Sequence, residues 1–305
     1  MKRLIAMVLS LAALFSFCAF AQAEDYVPTA AAPSGAPALA LAMMASENPD
    51  AYRFVAADTI AAEFASAQAD FIIAPINAGA KLFKAGKSAY QLAAVVTWGN
   101  LYFASQKADF SLETLNGASV VFFGEDTINA SIARYALEKS GVVPAEITYL
   151  AGAAQTQSLL LSDAEAIVLT AEPALTAASI KNDQVKSFAL NDLLKQALDM
   201  DGYAQAGLFV NPETAKAHPE AVAAFLEAAK ASAGKCADDV EAVANAAVAL
   251  EILPNVKVAL SAIPGCAIRF VNALEAREAI EATANIDLKQ YGGAVPEDGF
   301  YFTAE

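Results

Sequence analysis

Four short turns carry the polar residues best suited to holding a small ligand: Ser34-Gly35-Ala36-Pro37, Pro75-Ile76-Asn77, Gly124-Glu125-Asp126-Thr127 and Thr170-Ala171-Glu172-Pro173. Each follows an apolar run and precedes a helical pattern, so each joins a strand end to a helix start. Hydroxyls, amides and free backbone N–H groups at such turns could grip an anionic or polar ligand. The same residue types also cap helices in any α/β protein. Ser34 with its neighbour Gly35, Asn77, Thr127 and Glu172 are therefore candidate contacts, with capping as the alternative.

A second candidate group is Trp98-Gly99-Asn100, set in the long apolar run Val95–Ala104. Glycine beside an aromatic in a strand marks close approach by a ligand or another backbone. The single tryptophan could stack on a ligand ring while Asn100 orients a polar edge, or it could be a core aromatic. Tyr102 and Tyr203 pose the same choice less sharply. Arg269, among apolar neighbours, could clamp an anion bidentately or pair with an internal carboxylate. His218, the lone histidine, lies in a surface-helix pattern and is no metal or catalytic candidate.

The first residues read as an exported chain's leader. Lys2 and Arg3 precede an apolar stretch from Leu4 to Phe20, and Ala21-Gln22-Ala23 is a cleavage site, giving residues 1–23 as signal peptide. A lipoprotein would need a small residue before Cys18, and Phe17 stands there. The mature chain is thus expected in the periplasm. Its formal charge is −15 with the leader included, which argues against nucleic acid as a partner. Cys236 and Cys266 would be the only mature thiols, and an even pair in an oxidising compartment is read as a disulfide. No metal site is expected, since there is no Cys-x-x-Cys spacing and one histidine.

Strand and helix patterns alternate along the chain. Strands are expected at Tyr26–Ala32, Tyr52–Ala56, Asp70–Ala74, Val95–Ala104, Ser119–Phe123, Ile147–Leu150, Ala166–Leu169, Ser187–Leu190 and Tyr203–Val210. Beyond Pro212 the chain reads as helical. Tyr203–Val210 is the natural return strand, and with Trp98–Phe103 it would make two parallel crossings between lobes. The expected lobes are residues 24–104 plus 206–305, and residues 105–205.

The order strand, Ala74-Pro75-Ile76-Asn77, helix, then Val96-Thr97-Trp98-Gly99-Asn100-Leu101-Tyr102 resembles the substrate-binding proteins of ABC importers. Among these it is most similar to the nitrate, sulfonate and thiamine-precursor group. Gln205–Val210 and the ending Gly292–Tyr301 extend the resemblance over nearly all of the mature chain. It implies an α/β, two-lobed type II periplasmic binding protein fold with two hinge-crossing strands. The implied function is capture of a small sulfonate, oxyanion or pyrimidine-precursor ligand between the lobes and delivery to an ABC permease, without enzyme activity or cofactor. The resemblance strengthens Ser34, Asn77 and Thr127 as expected ligand contacts, beside Thr97, Trp98, Gly99, Asn100 and Tyr203, and the chain is expected to act as a monomer. A periplasmic ligand sensor, or an enzyme on the same fold, is the alternative.

Overall fold

The computed structural model describes residues 26–304. The leader and its cleavage site lie outside the described residues. Two sheets organise the chain. The first contains β1 (Ala30–Pro33), β2 (Tyr52–Val55), β3 (Phe71–Pro75) and β4 (Gln91–Thr97). The second is built from β5 (Leu101–Ser105), β6 (Ser119–Phe123), β7 (Glu146–Leu150), β8 (Ile167–Ala171) and β9 (Lys186–Ala189). The chain then returns to the first sheet as β10 (Ala206–Val210) and β11 (Ile268–Asn272).

Strand order is β11-β4-β10-β3-β1-β2 in the first sheet and β7-β6-β8-β5-β9 in the second. In the first, β1 runs parallel to β2 and β3, whereas β10 is antiparallel to both β3 and β4. In the second, β6 runs parallel to β7 and β8, and β5 is antiparallel to β8 and β9. Each sheet therefore has a body of like-directed strands crossed by one reversed strand, β10 in the first and β5 in the second, and β11 runs antiparallel to β4 at the edge of the first. Central strands β8 and β10 are buried throughout, and the edge strands β2, β9 and β11 are only partly covered. That is the pattern expected of a sheet with helices on both faces.

Alternation along the strands assigns the two faces of the first sheet. Phe71, Ile73, Leu208 and Val210 pack with Leu39, Val222 and Phe225 on one side. The ring of Phe71 stacks on Phe225 at 3.8 Å. Ile72, Ala74 and Phe209 join Phe64, Tyr90 and Phe300 on the other. There the helix Ile76–Lys84 lies so close to β10 that a Cβ on Gly79 would come within 2.3 Å of the Phe209 ring. Helix and strand touch at that point only because residue 79 has no side chain.

The expected single strand Val95–Ala104 is two strands in different sheets. It breaks at Trp98–Asn100, where Gly99 has φ +88°. Residues 101–104, expected with the first lobe, pair in the second sheet. The return strand begins at Ala206 rather than Tyr203 and runs antiparallel to β4, not parallel to it. Strand β11 was not expected at all. The expected disulfide is also absent: Cys236 and Cys266 are separate buried thiols. Cys236 Sγ instead donates to the Leu39 carbonyl at 3.7 Å. Both thiols sit among apolar side chains, as cysteines commonly do without any bond between them.

Candidate functional site

The carboxyl ends of β1, β3, β6 and β8 converge on one cleft, together with the start of β10 and the Asn100–Leu101 crossing. Its volume is about 410 Å³. Parallel strands end there with helices about to begin, the position where open α/β sheets bind ligands. Ser34, Gly35, Asn77, Asn100, Thr127 and Glu172 all line this cleft. The structure thus places these six nominated residues around one cavity. A second groove of about 610 Å³ runs over the helices Pro212–Ala217 and Pro219–Asp238 beside Phe302. It contains none of the nominated residues.

The turns differ in detail from expectation. Ser34 caps nothing: its backbone N–H donates to the Val55 carbonyl, and Gly35 precedes the 3-10 helix Ala36–Leu41. Asn77 lies inside the first turn of its helix, which Pro75 opens. Thr127 is a true cap, its Oγ1 accepting from Ala130 N at 3.4 Å at the head of the helix Ile128–Lys139. Glu172 lines the cleft, while its carboxylate turns onto the helix Ala174–Lys181. There it accepts from Thr176 N at 3.1 Å and from Thr176 Oγ1 at 2.8 Å. Burial pushes the Glu172 carboxyl up, against the pull of those two bonds.

The floor of the cleft is a set of side-chain amides. Asn100 Nδ2 donates to the Glu172 carbonyl at 2.9 Å, and its Oδ1 accepts from Gln205 Nε2 at 3.0 Å. Gln205 Nε2 also reaches Asn129 Oδ1 at 3.3 Å. Asn129 in turn accepts from Tyr203 OH at 3.1 Å. Asn129 and Gln205, with Gln290 at the wall, were missed on sequence. The signal for Gln205 was available: a polar residue immediately before a fully buried strand needs a partner. Asn129 looked like any first-turn helix residue.

Six nominated residues lie outside the cleft lining, among them Tyr102, whose hydroxyl donates to the Gly265 carbonyl at 3.0 Å. Thr97 is buried at the end of β4, where its carbonyl accepts from Gln205 N. Trp98 turns its ring away: Nε1 donates to the Arg269 carbonyl at 2.9 Å, and the Arg269 guanidinium stands 4.4 Å from the ring centroid. Arg269 is exposed on β11 and belongs to this cation–π pair. Gly99 is required by its neighbours, since a Cβ would meet Asn191 Oδ1 and the Tyr203 ring at 2.6 Å. Tyr203 is fully buried behind the floor, and burial drives its hydroxyl pKa up. These residues shape the crossing, with Asn191 Nδ2 holding the Trp98 and Gly99 carbonyls at 2.9 and 3.0 Å.

Comparison with known proteins agrees with this fold. No curated protein matches the chain in sequence. Among solved structures, an ABC transporter protein from Parabacteroides distasonis is similar at TM-score 0.78 and 22% identity, covering 92% of this chain and 99% of that one. The periplasmic aliphatic sulphonate binding protein of Escherichia coli superposes at TM-score 0.70 and 14% identity, with 92% of each chain covered. The ligand binding component of an ABC-type import system from Staphylococcus aureus, solved with zinc bound, gives 0.69 and 14%, covering 90% of this chain and 96% of that one. Residues 100–242 match the family described as NMT1/THI5 like, and the described chain has the two-lobed fold of ABC-importer binding proteins.

Proposed function

We propose that this protein is a periplasmic solute-binding protein that captures a small organic ligand in the interlobe cleft and presents it to an ABC permease. The observation that carries the reading is the cleft itself. Strand ends from two separate sheets line one cavity, and the chain passes between those sheets at Trp98–Asn100 and again at Met200–Gln205. Two narrow crossings allow the lobes to rotate while each keeps its own sheet. A ligand touching both walls then favours the closed arrangement by its extra contacts there.

The lobes we propose are residues 26–100 with 206–304, and residues 101–205, the division following sheet membership. The reading is of a binder and not an enzyme, because the polar floor groups Asn100, Asn129 and Gln205 are engaged with one another as structure. Export through residues 1–23 and action as a monomer complete the proposal.

The test is a thermal-shift screen of the mature protein across small metabolites, followed by small-angle scattering with the strongest hit. Capture by closure predicts a smaller radius of gyration in the presence of that hit. A hit that binds tightly with no change in radius would count against it.

A further inference from the structure

The cleft is built for a ligand that donates hydrogen bonds, and its charge balance is wrong for an anion. Among the described residues lining it there is no lysine, arginine or histidine, whereas Asp126 and Glu172 are both present. The chain as a whole carries −15, so its field also repels anions on approach. Helix starts could compensate, since an oxyanion can be held by their free N–H groups. Here several of those donors are already taken. At the Ile128 helix the Thr127 hydroxyl accepts from Ala130 N. At the Ala174 helix the Glu172 carboxylate itself accepts from Thr176 N, placing a negative group where an anion would sit. At the Ile76 helix the first N–H donates to the Gln205 carbonyl.

Acceptors, by contrast, are left over. Asn77 Oδ1 and Gln205 Oε1 are buried with no donor, and both residues belong to the cleft wall. A buried amide oxygen without a partner is costly, and an arriving N–H satisfies it. The remaining wall is largely apolar: Pro33, Ile60, Leu101, Phe123 and Ile128 enclose the space.

Resting on the capture reading above, we infer that the ligand is a small uncharged or cationic organic molecule with an apolar body and an N–H-bearing edge, and not a sulfonate or oxyanion. Asn77 receives that edge through its amide oxygen, which is shielded from solvent here and reaches the cleft by a turn of the side chain.

The test uses head-group series on fixed skeletons: benzamide, benzamidine and benzenesulfonate, then butyramide, butylammonium and butanesulfonate. Each is titrated into the mature protein by calorimetry, with scattering recorded at saturation. The expected result is at least ten-fold tighter binding for the N–H-bearing members of at least one series. Asn77→Asp, which keeps an acceptor and adds negative charge, should preserve or tighten that binding. The wild-type ranking stands alone if the variant fails to fold. Tighter binding of the sulfonates, or no binding by any N–H member, overturns the ligand class. Sulfonate binding with compaction would overturn the class alone and leave capture intact. N–H binding without compaction would leave the class intact and count against capture.

Discussion

The side chains at the ends of the two interlobe crossings are bonded to each other: Gln205 Nε2 donates to Asn100 Oδ1 at 3.0 Å. Asn100 closes the outward crossing, and Gln205 closes the return. Because Asn100 also donates to the Glu172 carbonyl, one amide ties both crossings to the wall of the second lobe. A double-mutant cycle of Asn100→Ala and Gln205→Ala should show the coupling. We expect an interaction energy of about 0.5–1.5 kcal/mol in urea unfolding, with each single change also weakening ligand binding. Strict additivity would mean the bond has no energetic role.

Gly99→Ala should be among the most damaging small changes in the chain. The residue has φ +88°, and a Cβ would press on Asn191 and Tyr203 at 2.6 Å. The left-handed backbone and the overpacking together should cost at least about 2 kcal/mol. Thermal melting of the variant checks this, and an unchanged midpoint would contradict it.

Asp70 secures the start of the described chain to the helix Pro212–Ala217. Its carboxylate accepts from Thr214 Oγ1 at 2.6 Å, Thr29 N at 2.7 Å and Tyr26 OH at 2.7 Å. Burial alone would push the carboxyl up, but these bonds outweigh it and hold it below its ordinary value. A carboxyl so held contributes stability above about pH 3.9 and loses it as pH falls through its folded value. Asp70→Asn should cost about 1.5–3 kcal/mol at neutral pH and flatten the acid limb of the stability curve. Chemical denaturation between pH 3 and pH 7 measures both effects, and parallel curves for the two proteins would refute the assignment.

Much of this arrangement is legible in the residues. The continuous apolar runs at Phe71–Ala74, Val120–Phe122 and Ile167–Leu169 mark strands covered on both faces, and the turns after them reach the cleft. Thr127 behaves as a cap by local chemistry alone. What failed depended on long-range geometry. Which way Trp98 faces follows from the break at Gly99 and from the carbonyl of Arg269, which is 171 residues away. Strand β11 was hidden because an edge strand carries Arg269 and Asn272 facing solvent. Gln205 and Asn129 join the floor only once both crossings are in place. A count of cysteines and a compartment say nothing about the distance between two sulfurs.

The thiols offer a direct check of that last point. Burial pushes the Cys236 thiol up to about 12 and raises Cys266 as well, so neither should react quickly in the folded protein. Unfolding without reductant should release both as free thiols. A titration finding none in the unfolded, unreduced mature protein would show that they are joined after all.

The most direct measurement is a crystal structure of the mature protein with its tightest ligand from the screen. The account predicts that ligand in the cleft of about 410 Å³, against Asn77, Asn100, Thr127 and Gln205. Ligand seated instead in the groove of about 610 Å³ between Leu226 and Phe302, with the cleft holding only solvent, would contradict it.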